Sequence, residues 1–452
     1  MRALFEISKS GLRSAERSLS VTSNNIVNAD TPGYTRQRVD KTPVGMQIEG
    51  TNIGLGVNVS SVKRLRDEMN DVLINEKRQD MSFMKNKAKV FEQLEASMAS
   101  DSGSDIDLSI SNLLDTFSEL STDPQDVSVR NSLVSEASQL TAKFGDISQK
   151  IDQNSELTRE SASRTIDSVN ELLIDIDGLN RSISQAEAAG NPDNSSLDLR
   201  VRKLEELSEF INFETQPTDS GAFEIRVGGI KVLGEDGVSA IKGEINDVDK
   251  IFRLRLENGK TIEAEGGRLG AEIEMYESAI PDIKNRLDTL AATIVEEFNG
   301  LHVQGYGLED STNRNFFDSS FTTAAEIKIN QEIIDNPRHI AASDVDGEAG
   351  NGEMASRIAS LRNERVIENR KLIDYSIDLI SSPGNSLSSL NSQIEATDSE
   401  IQMLQAQQER EAGVNIDEEL SLMIQYQNAY QGAAKVMGAA QQMYDTLLRV
   451  LR

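Results

Sequence analysis

The end of the chain carries its strongest pattern. From Leu420 onward, side chains three and four positions apart are almost all apolar or aromatic, which places them along one side of a helix, as in a coiled coil. Asn415 is a suitable N-cap, and the acids of "DEEL" at 417–420 suit the positive end of a helix. A helix about 50 Å long gains most of its stability from packing, so this side must contact another element. The predicted packing seam consists of Leu420, Met423, Gln427, Tyr430, Ala434, Met437, Gln441, Tyr444, Leu448 and Leu451.

The start of the chain is also predicted to form an amphipathic helix. Phe5, Leu12, Ala15, Leu19 and Ile26 fall on one face at heptad-like spacing. The two terminal helices can therefore pack on each other or on those of other copies of the chain. The candidate packing residues are Leu12, Leu19, Tyr426, Tyr430, Met437, Tyr444, Leu448 and Leu451.

The net charge of the two ends differs from that of the rest of the chain. The net charge is −29; residues 1–40 hold six basic and four acidic side chains, a net of +2, and residues 412–452 hold three and four, a net of −1. The remainder therefore carries −30. Such a charge disfavours binding to nucleic acid or to an anionic membrane surface. No apolar run approaches the roughly 20 residues of a membrane span, and the first residues lack the apolar segment of a signal peptide.

A turn is predicted where the first helix ends, in "NNIVNADTPGYTRQ" at 24–37. The tetrapeptide Thr31-Pro32-Gly33-Tyr34 fits a type II turn, because proline suits its second position and glycine its third. Pro32 also keeps Thr31 out of the helical conformation. A simple helix stop followed by a turn is the plainer interpretation of this stretch.

Three asparagines in the same stretch, Asn24, Asn25 and Asn28, favour a more specific interpretation. Asn24 and Asn28 lie four residues apart and share a helix face. Buried amides at a close helix contact can fix its register, as they do in coiled coils. We expect these three residues to set the register between the terminal helices.

The middle of the chain reads as helix with one β insertion. Helix is predicted over about 65–213, with breaks at 100–105, 121–126 and 190–196, and from about 269 onward, with interruptions near Pro281, at 300–322, near Pro337 and at 382–386. Alternating apolar residues predict strands within 211–266, where Asn258-Gly259 suits a two-residue hairpin turn. A shorter extended stretch is predicted at 44–62.

These patterns predict a mainly α protein, a long helical bundle or coiled coil made from both termini with a small inserted β domain. We expect a terminal coiled-coil domain of residues 1–40 plus 412–452, a helical bundle domain of 41–210 plus 267–411, and a β domain of 211–266.

The quoted segments also resemble a known family. "SNNIVNADTPGYTRQ" is similar to the "NNIANxxTPGY" signature of the bacterial flagellar axial proteins, and the "TRQ" resembles the hook-associated protein 1 family within them. "GVNIDEELSLMIQYQNAYQGAAKVMGAAQQMYDTLL" resembles that family's closing motif. "GVNVSSVKRLRD", "LDLRVRKLEELSEF" and "LAATIVEEFNGLHVQGYGL" resemble its internal segments. The β insertion is single and the chain is shorter than many relatives, so an outermost domain is expected to be absent.

The resemblance implies a structural component of the flagellum that links hook to filament. It implies partners in other copies of the chain, hook protein, a second junction protein leading to the filament, and an export chaperone on the C-terminal helix. It also implies export by the flagellar type III system after a cytoplasmic stage. In such an assembly, the terminal helices would form the inner layer, and Pro32, Gly33 and Tyr34 would redirect the chain out of it.

Two alternatives stay open. One is another axial protein, such as hook or rod protein, although hook protein would carry more β sequence. The other is a secreted coiled-coil effector or adhesin, which would need neither the "TPGY" turn nor matched terminal helices. We expect no enzymatic activity, no cofactor and no metal site: the only histidines, His302 and His339, are far apart, and "DSGSDID" at 101–107 departs from a calcium loop.

Overall fold

The computed structural model describes residues 2–31, 33–48, 51–98, 106–190, 192–246, 251–309 and 313–450. Eleven α-helices occur in these ranges, with a π-helical turn at Met275–Ala279 and a 3-10 turn at Pro337–His339. The helices are α1 (Arg2–Val27), α2 (Glu68–Met98), α3 (Ile106–Thr122), α4 (Val127–Ala188), α5 (Asn194–Phe210), α6 (Gly267–Glu274), α7 (Ile280–His302), α8 (Gln331–Asp335), α9 (Glu353–Ser360), α10 (Leu372–Ala412) and α11 (Ile416–Val450).

Three antiparallel sheets accompany the helices in the described ranges. β1 and β2 form a long hairpin beside α1, β3 to β6 form a four-stranded sheet in sequence order, and β7 to β9 form a three-stranded sheet. The strands are β1 (Gln37–Ile48), β2 (Thr51–Arg64), β3 (Glu214–Pro217), β4 (Phe223–Val227), β5 (Ile230–Gly234), β6 (Gly237–Val238), β7 (Ile241–Asn246), β8 (Ile251–Leu256) and β9 (Thr261–Ile262).

The predicted fold class is confirmed, since the protein is 66% helical with long helices from both termini and a small β region. Several predicted helix ends also appear. Asp126 caps α4 through the backbone N–H of Ser128, and Asp193 caps α5. Asn415 accepts from the N–H groups of Asp417 and Glu418 at the start of α11, as its sequence position suggested. The predicted break at 100–105 lies outside the described residues.

Three local predictions were wrong or incomplete. α10 runs through 382–386 without interruption, because the Ser382 hydroxyl donates to the Leu379 carbonyl that Pro383 leaves without its helical donor. The predicted interruption near Pro281 is present: α6 ends at Glu274, a π-helical turn follows, and Pro281 sits in the first turn of α7. The turn after β8 is longer than two residues, and in it Gly259 has positive φ while Asn258 does not. The extended stretch predicted at 44–62 is part of the longer β1–β2 hairpin.

Two hydrophobic cores share α4. One lies among α2, α3, α7, α9, α10 and the first half of α4; the other lies between the second half of α4, α5, α6 and the strands from β4 to β9. At 1.5 Å per residue, the 62 residues of α4 extend about 93 Å, long enough to connect both. Neither core includes a described residue of α1 or α11. The terminal helices therefore form a separate unit, which packs on itself and on the β1–β2 hairpin.

The irregular segment after α7 is held on the first core by buried polar contacts. The amide of Asn299 exchanges two hydrogen bonds with the backbone of Phe317. His302 is buried; its Nε2 accepts from the N–H of Ala341, so its Nδ1 carries the proton and donates to the Arg314 carbonyl at 2.7 Å. Burial lowers the pKa of His302 to about 4, which keeps the ring neutral.

Candidate functional site

Asn25 is the centre of the contact between the two ends of the chain. It lies near the end of α1 and is only 1% exposed. Its amide NH₂ donates to the Gln37 carbonyl at 2.9 Å and to the Glu419 carboxylate at 3.2 Å. Its oxygen accepts from the Tyr34 hydroxyl at 2.8 Å and from the Gln37 N–H at 3.0 Å. All four hydrogen-bonding positions of the amide are therefore used, and they connect α1, the turn, β1 and α11.

Glu419 receives a second partner from the same stretch of sequence. Its carboxylate is 1% exposed and accepts from Arg36 Nε at 2.7 Å, while the same guanidinium contacts Glu418 at 3.0 Å. A buried carboxylate needs such a charge partner to remain ionised at low cost. The first turn of α11 is thus fixed to the "NNIVNADTPGYTRQ" stretch by one amide and one guanidinium.

The turn at 31–34 places Tyr34 against Asn25. The Tyr34 N–H donates to the Thr31 carbonyl at 3.1 Å and Gly33 has a φ of +76°, both as in the predicted type II turn. Tyr34 is half-buried, and burial together with the charges of Asp198 and Glu419 raises its pKa to about 12. The tyrosine therefore stays protonated and donates its hydroxyl hydrogen to the amide. Pro32 lies outside the described residues.

A second polar network fixes this unit to the helical trunk through Asp198 of α5. Asp198 accepts from Arg64 at the end of β2 at 2.8 Å and from the Thr35 N–H at 3.4 Å. Arg66 contacts both Asp71 of α2 and Glu205 of α5. Two segments quoted above for their family resemblance, at 56–67 and 197–210, thus meet in space.

Small side chains form the face of α1 that meets α11. Ser8 lies against Met437, Gly11 lies against Ala433, and Ala15 and Ser18 are buried between this end and Asn25. Leu12 and Leu19, which the sequence pattern selected, are half-buried. The hairpin covers another part of α11, where the Lys41 ammonium lies 4.4 Å from the centre of the Tyr426 ring. Close approach of small residues, rather than bulky apolar ones, therefore sets this contact.

The predicted seam of α11 is only partly covered within the chain. Met437 faces α1 and Tyr426 faces the hairpin, whereas Tyr430, Tyr444 and Leu448 remain exposed. The antiparallel register set by Asn25–Glu419 and Ser8–Met437 places Tyr444 opposite the first residues of α1. Residues 443–448 therefore lie at and beyond the start of α1 and define the uncovered end of α11, where Met443, Tyr444, Leu447 and Leu448 are exposed. Leu451 lies outside the described residues.

The other two predicted asparagines do not reach α11 within the chain. The Asn28 side chain donates to the Asn24 side-chain oxygen at 2.6 Å, and Thr31 donates to Asn28. Asn24 is exposed. Their role in register stays a prediction.

Sequence reasoning missed Arg36 and Glu419. The sequence pattern indicates only that "DEEL" suits the helix dipole and that Arg36 belongs to a family motif. Glu419 is the fourth residue of α11 and Arg36 lies two residues after the turn tyrosine, and nothing local in the sequence indicates that these two side chains pair. Among the described residues, no cluster of His, Cys, Asp or Glu could hold a metal ion. In those same ranges no helix is both long and apolar enough to span a bilayer.

Comparisons with known proteins match the two terminal segments of this site, and the helical region between them, to families of flagellar proteins. A family model described as "Flagellar hook-associated protein FlgK helical domain" matches residues 91–317. "Flagella basal body rod protein" matches residues 5–35, which include Asn25, and "Flagellar basal body rod FlgEFG protein C-terminal" matches 407–450, which include Glu419.

Whole-chain similarity agrees with these matches. The chain is 25% identical to flagellar hook-associated protein 1 of Bacillus subtilis, over 98% of this chain and 97% of the relative. It is 22% identical to the protein of the same name from Salmonella typhimurium, over 100% of both. The solved flagellar hook junction protein FlgK from Burkholderia pseudomallei has a similar fold, with a TM-score of 0.65 at 12% identity over 74% of this chain and 99% of that one.

Proposed function

Because the chain belongs to the flagellar hook-associated protein FlgK family, we infer that it is a structural component of the bacterial flagellum at the hook–filament junction. The family is structural, and the chain assembles with hook and filament components. The observation that supports this role best is the meeting of the two terminal motifs at Asn25, Glu419 and Arg36, beside an α11 whose seam is left partly uncovered.

We propose that the uncovered end of α11 packs against neighbouring copies of the chain. Its four exposed apolar side chains lie at and beyond the start of α1, and each is about half exposed in the single chain. A contact between the uncovered end of one copy and a different surface of the next would be head-to-tail, and such contacts build rings or helices. Tyr430, and Asn24 with Asn28, are further candidates for contacts between chains.

The same proposal extends to the domain arrangement. Residues 1–40 plus 412–452 would form the inner, assembling domain. Residues 41–210 plus 267–411 would surround it, and residues 211–266 would face solvent. The absence of any terminal-helix residue from the two hydrophobic cores supports this division. The near-neutral ends and the strongly acidic remainder support it as well, because like charges crowded into an inner layer would repel one another.

Finer partners belong to the proposal too. We propose contacts with hook protein on one side and with a second junction protein on the filament side. Before assembly, an export chaperone would cover the exposed apolar residues of α11 as a helix in a groove. We also propose that the chain is exported through the flagellar type III channel to the growing tip.

Electron microscopy of cells that lack the protein tests the junction role. Free hooks without attached filaments are expected, and normal filaments on such cells would refute the role.

Tyr444→Asp with Leu448→Asp tests the uncovered end of α11. We expect these substitutions to give free hooks while the purified chain keeps its stability, because both side chains are exposed in the single chain. Met403→Asp is the matched control, since Met403 is an exposed apolar residue on a different helix, α10; it should leave filaments attached.

A further inference from the structure

A stripe of three basic side chains runs along α1 on a face that α11 does not cover. Lys9, Arg13 and Arg17 follow four-residue steps, so they share one side of the helix. They line a groove of about 560 Å³ between α1 and residues 57–62 of β2. Glu6 is the only acid in the lining, and the strand residues there are uncharged. We call Lys9, Arg13 and Arg17 the basic stripe.

The basic stripe has no partner within the described part of the chain. Its three side chains are exposed, and no ion pair joins any of them to a described residue. This is unusual for the molecule, because acids outnumber bases by 75 to 46 and many of the other cations are paired. Three unpaired cations on one helix face make a local positive surface on a chain with a net charge of −29. A second copy of the chain is therefore an electrostatically suitable partner.

α4 carries the best-matched acidic surface. Asp167, Glu171 and Asp175 are exposed and also follow four-residue steps, so their carboxylates repeat along the helix at the same interval as the basic stripe. Asp167 and Glu171 have no ion pair to a described residue, and Asp175 contacts Lys203 at 3.0 Å. Beside them Ile174 is 61% exposed, so a contact here would also bury apolar surface. We call Asp167, Glu171 and Asp175 the acidic stripe.

A second row of acids, at Asp115, Glu119 and Asp123, is a poorer match. Arg362 forms an ion pair with Asp115 at 2.7 Å, and Asp123 lies beyond the last residue of α3. Only Glu119 is then both helical and unpaired. This row carries the same number of carboxylates with the same spacing in sequence, which makes it a control for charge alone.

We propose that the basic stripe of one copy binds the acidic stripe on α4 of a neighbouring copy in the assembled junction. The inference rests on the proposed function, because it requires copies to assemble. The two surfaces differ, so the contact is head-to-tail and leaves one free stripe at each end of a row of copies, which is what a ring or helix needs. Exposed ion pairs contribute little affinity each, so the stripes chiefly select the register and the encounter geometry.

Cross-linking in isolated flagella tests the contact directly. The chain has no cysteine, so Arg13→Cys and Glu171→Cys can be combined in one chain on a clean background. Treatment with a short bis-maleimide is expected to give a ladder of linked copies. Arg13→Cys with Glu119→Cys is the control and should stay unlinked. A control ladder as strong as the first, or no ladder from the first pair, would overturn the proposal.

Charge reversal in the purified full chain provides the second arm. Reversing the basic stripe to Glu, or the acidic stripe to Lys, should each weaken self-association about tenfold at low salt. Combining both reversals should restore it, and high salt should remove the differences. Reversing 115, 119 and 123 instead should not restore association to the chain with a reversed basic stripe. A combined variant no better than its parents, or an unmodified chain that does not associate at any salt concentration, overturns the proposal.

These results are separable from the junction role itself. Attached filaments in the cysteine variant without any cross-linked ladder would refute the stripe contact and leave the junction role intact. Normal filaments in cells lacking the chain would refute the junction role.

Discussion

Exchanging the amide and the carboxylate between Asn25 and Glu419 tests the central contact of the terminal unit. Asn25→Ala removes four hydrogen bonds and leaves Gln37, Tyr34 and one oxygen of the buried Glu419 without their partners. An unsatisfied buried group costs about 1–3 kcal/mol, the higher figure applying to charged groups. Gln37 and Tyr34 are only partly buried and can recover water. We expect a loss of about 4 kcal/mol in the free energy of opening the α1–α11 pair.

Asn25→Asp separates electrostatics from packing. It keeps the acceptor for Tyr34 and for the Gln37 N–H, but it places a second carboxylate 3.2 Å from that of Glu419. At an effective dielectric constant of about 20, two unit charges at this distance repel by about 5 kcal/mol. The variant should therefore open at neutral pH and recover as the pair takes up a proton on acidification. Adding Glu419→Gln to Asn25→Asp restores a donor opposite the new carboxylate, and Arg36 keeps Glu418 as a partner.

Amide hydrogen exchange of peptides from α1, α11 and α4 measures these effects. Since about 1.36 kcal/mol corresponds to a tenfold change, Asn25→Ala should lower protection in α1 and α11 by up to about a thousandfold and leave α4 unchanged. The double variant should be protected at least tenfold better than Asn25→Asp alone. Asn24→Ala is the control, because Asn24 is exposed and its side-chain oxygen accepts a hydrogen bond from the neighbouring Asn28; its effect should stay within threefold. The reasoning is wrong if Asn24→Ala and Asn25→Ala behave alike, or if the exchanged pair is no better than the single aspartate.

Three further predictions concern the rest of the chain. Because the pKa of His302 falls from 6.5 to about 4 on burial, its contribution to stability should be lost as pH falls from about 6.5 towards 4; between pH 7 and pH 4.5 the wild type should lose about 2–3 kcal/mol more than His302→Gln in urea titrations. Because the folded pKa of Tyr34 is about 12, above the usual 10, an absorbance titration should show a tyrosine ionising near pH 12 whose amplitude disappears in Tyr34→Phe. Arg130 is fully buried and its guanidinium donates to the Pro124 and Ile340 carbonyls, so Arg130→Met should leave both carbonyls unpaired and cost about 3 kcal/mol in urea unfolding, whereas an effect under 1 kcal/mol would contradict this account.

The sequence predicted those parts of the terminal unit that are governed by local chemistry. Each of these features depends on a few neighbouring residues, so the sequence alone reveals it. They are the turn at Gly33, the cap at Asn415 and the helical periodicity of α11. The class of fold followed from the same periodicities. The interruption predicted at 382–386 was wrong, because the Ser382 hydroxyl donates to the carbonyl that Pro383 leaves without a backbone donor. Helix propensities do not include such a side-chain contact.

The central contact could not be predicted, because its partners are almost 400 residues apart and polar. Hydrophobic periodicity selected Leu12 and Leu19 on α1, whereas Ser8 and Gly11 contact α11. Small residues carry little weight in such a pattern although they allow helices to approach closely. Likewise, nothing local distinguishes buried Glu419 from its exposed neighbour Glu418. Their difference arises only when Asn25 and Arg36 arrive from the other end of the chain.

The contact between α1 and α11 explains how α11 can be held in place at one end and still bind another copy of the chain at its other end. No described residue of α1 or α11 belongs to the two hydrophobic cores, so the register of this pair depends on the close small-residue contacts of α1 and on the polar contacts of Asn25, Arg36 and Glu419 at one end. At the other end, α1 begins at Arg2, close to the level of Tyr444, and the side chains of Tyr444 and Leu448 are exposed. A neighbouring copy could therefore bind the uncovered end of α11 without disturbing the polar contacts. Since polar contacts demand specific geometry, they would hold α11 in one register while its free end associates.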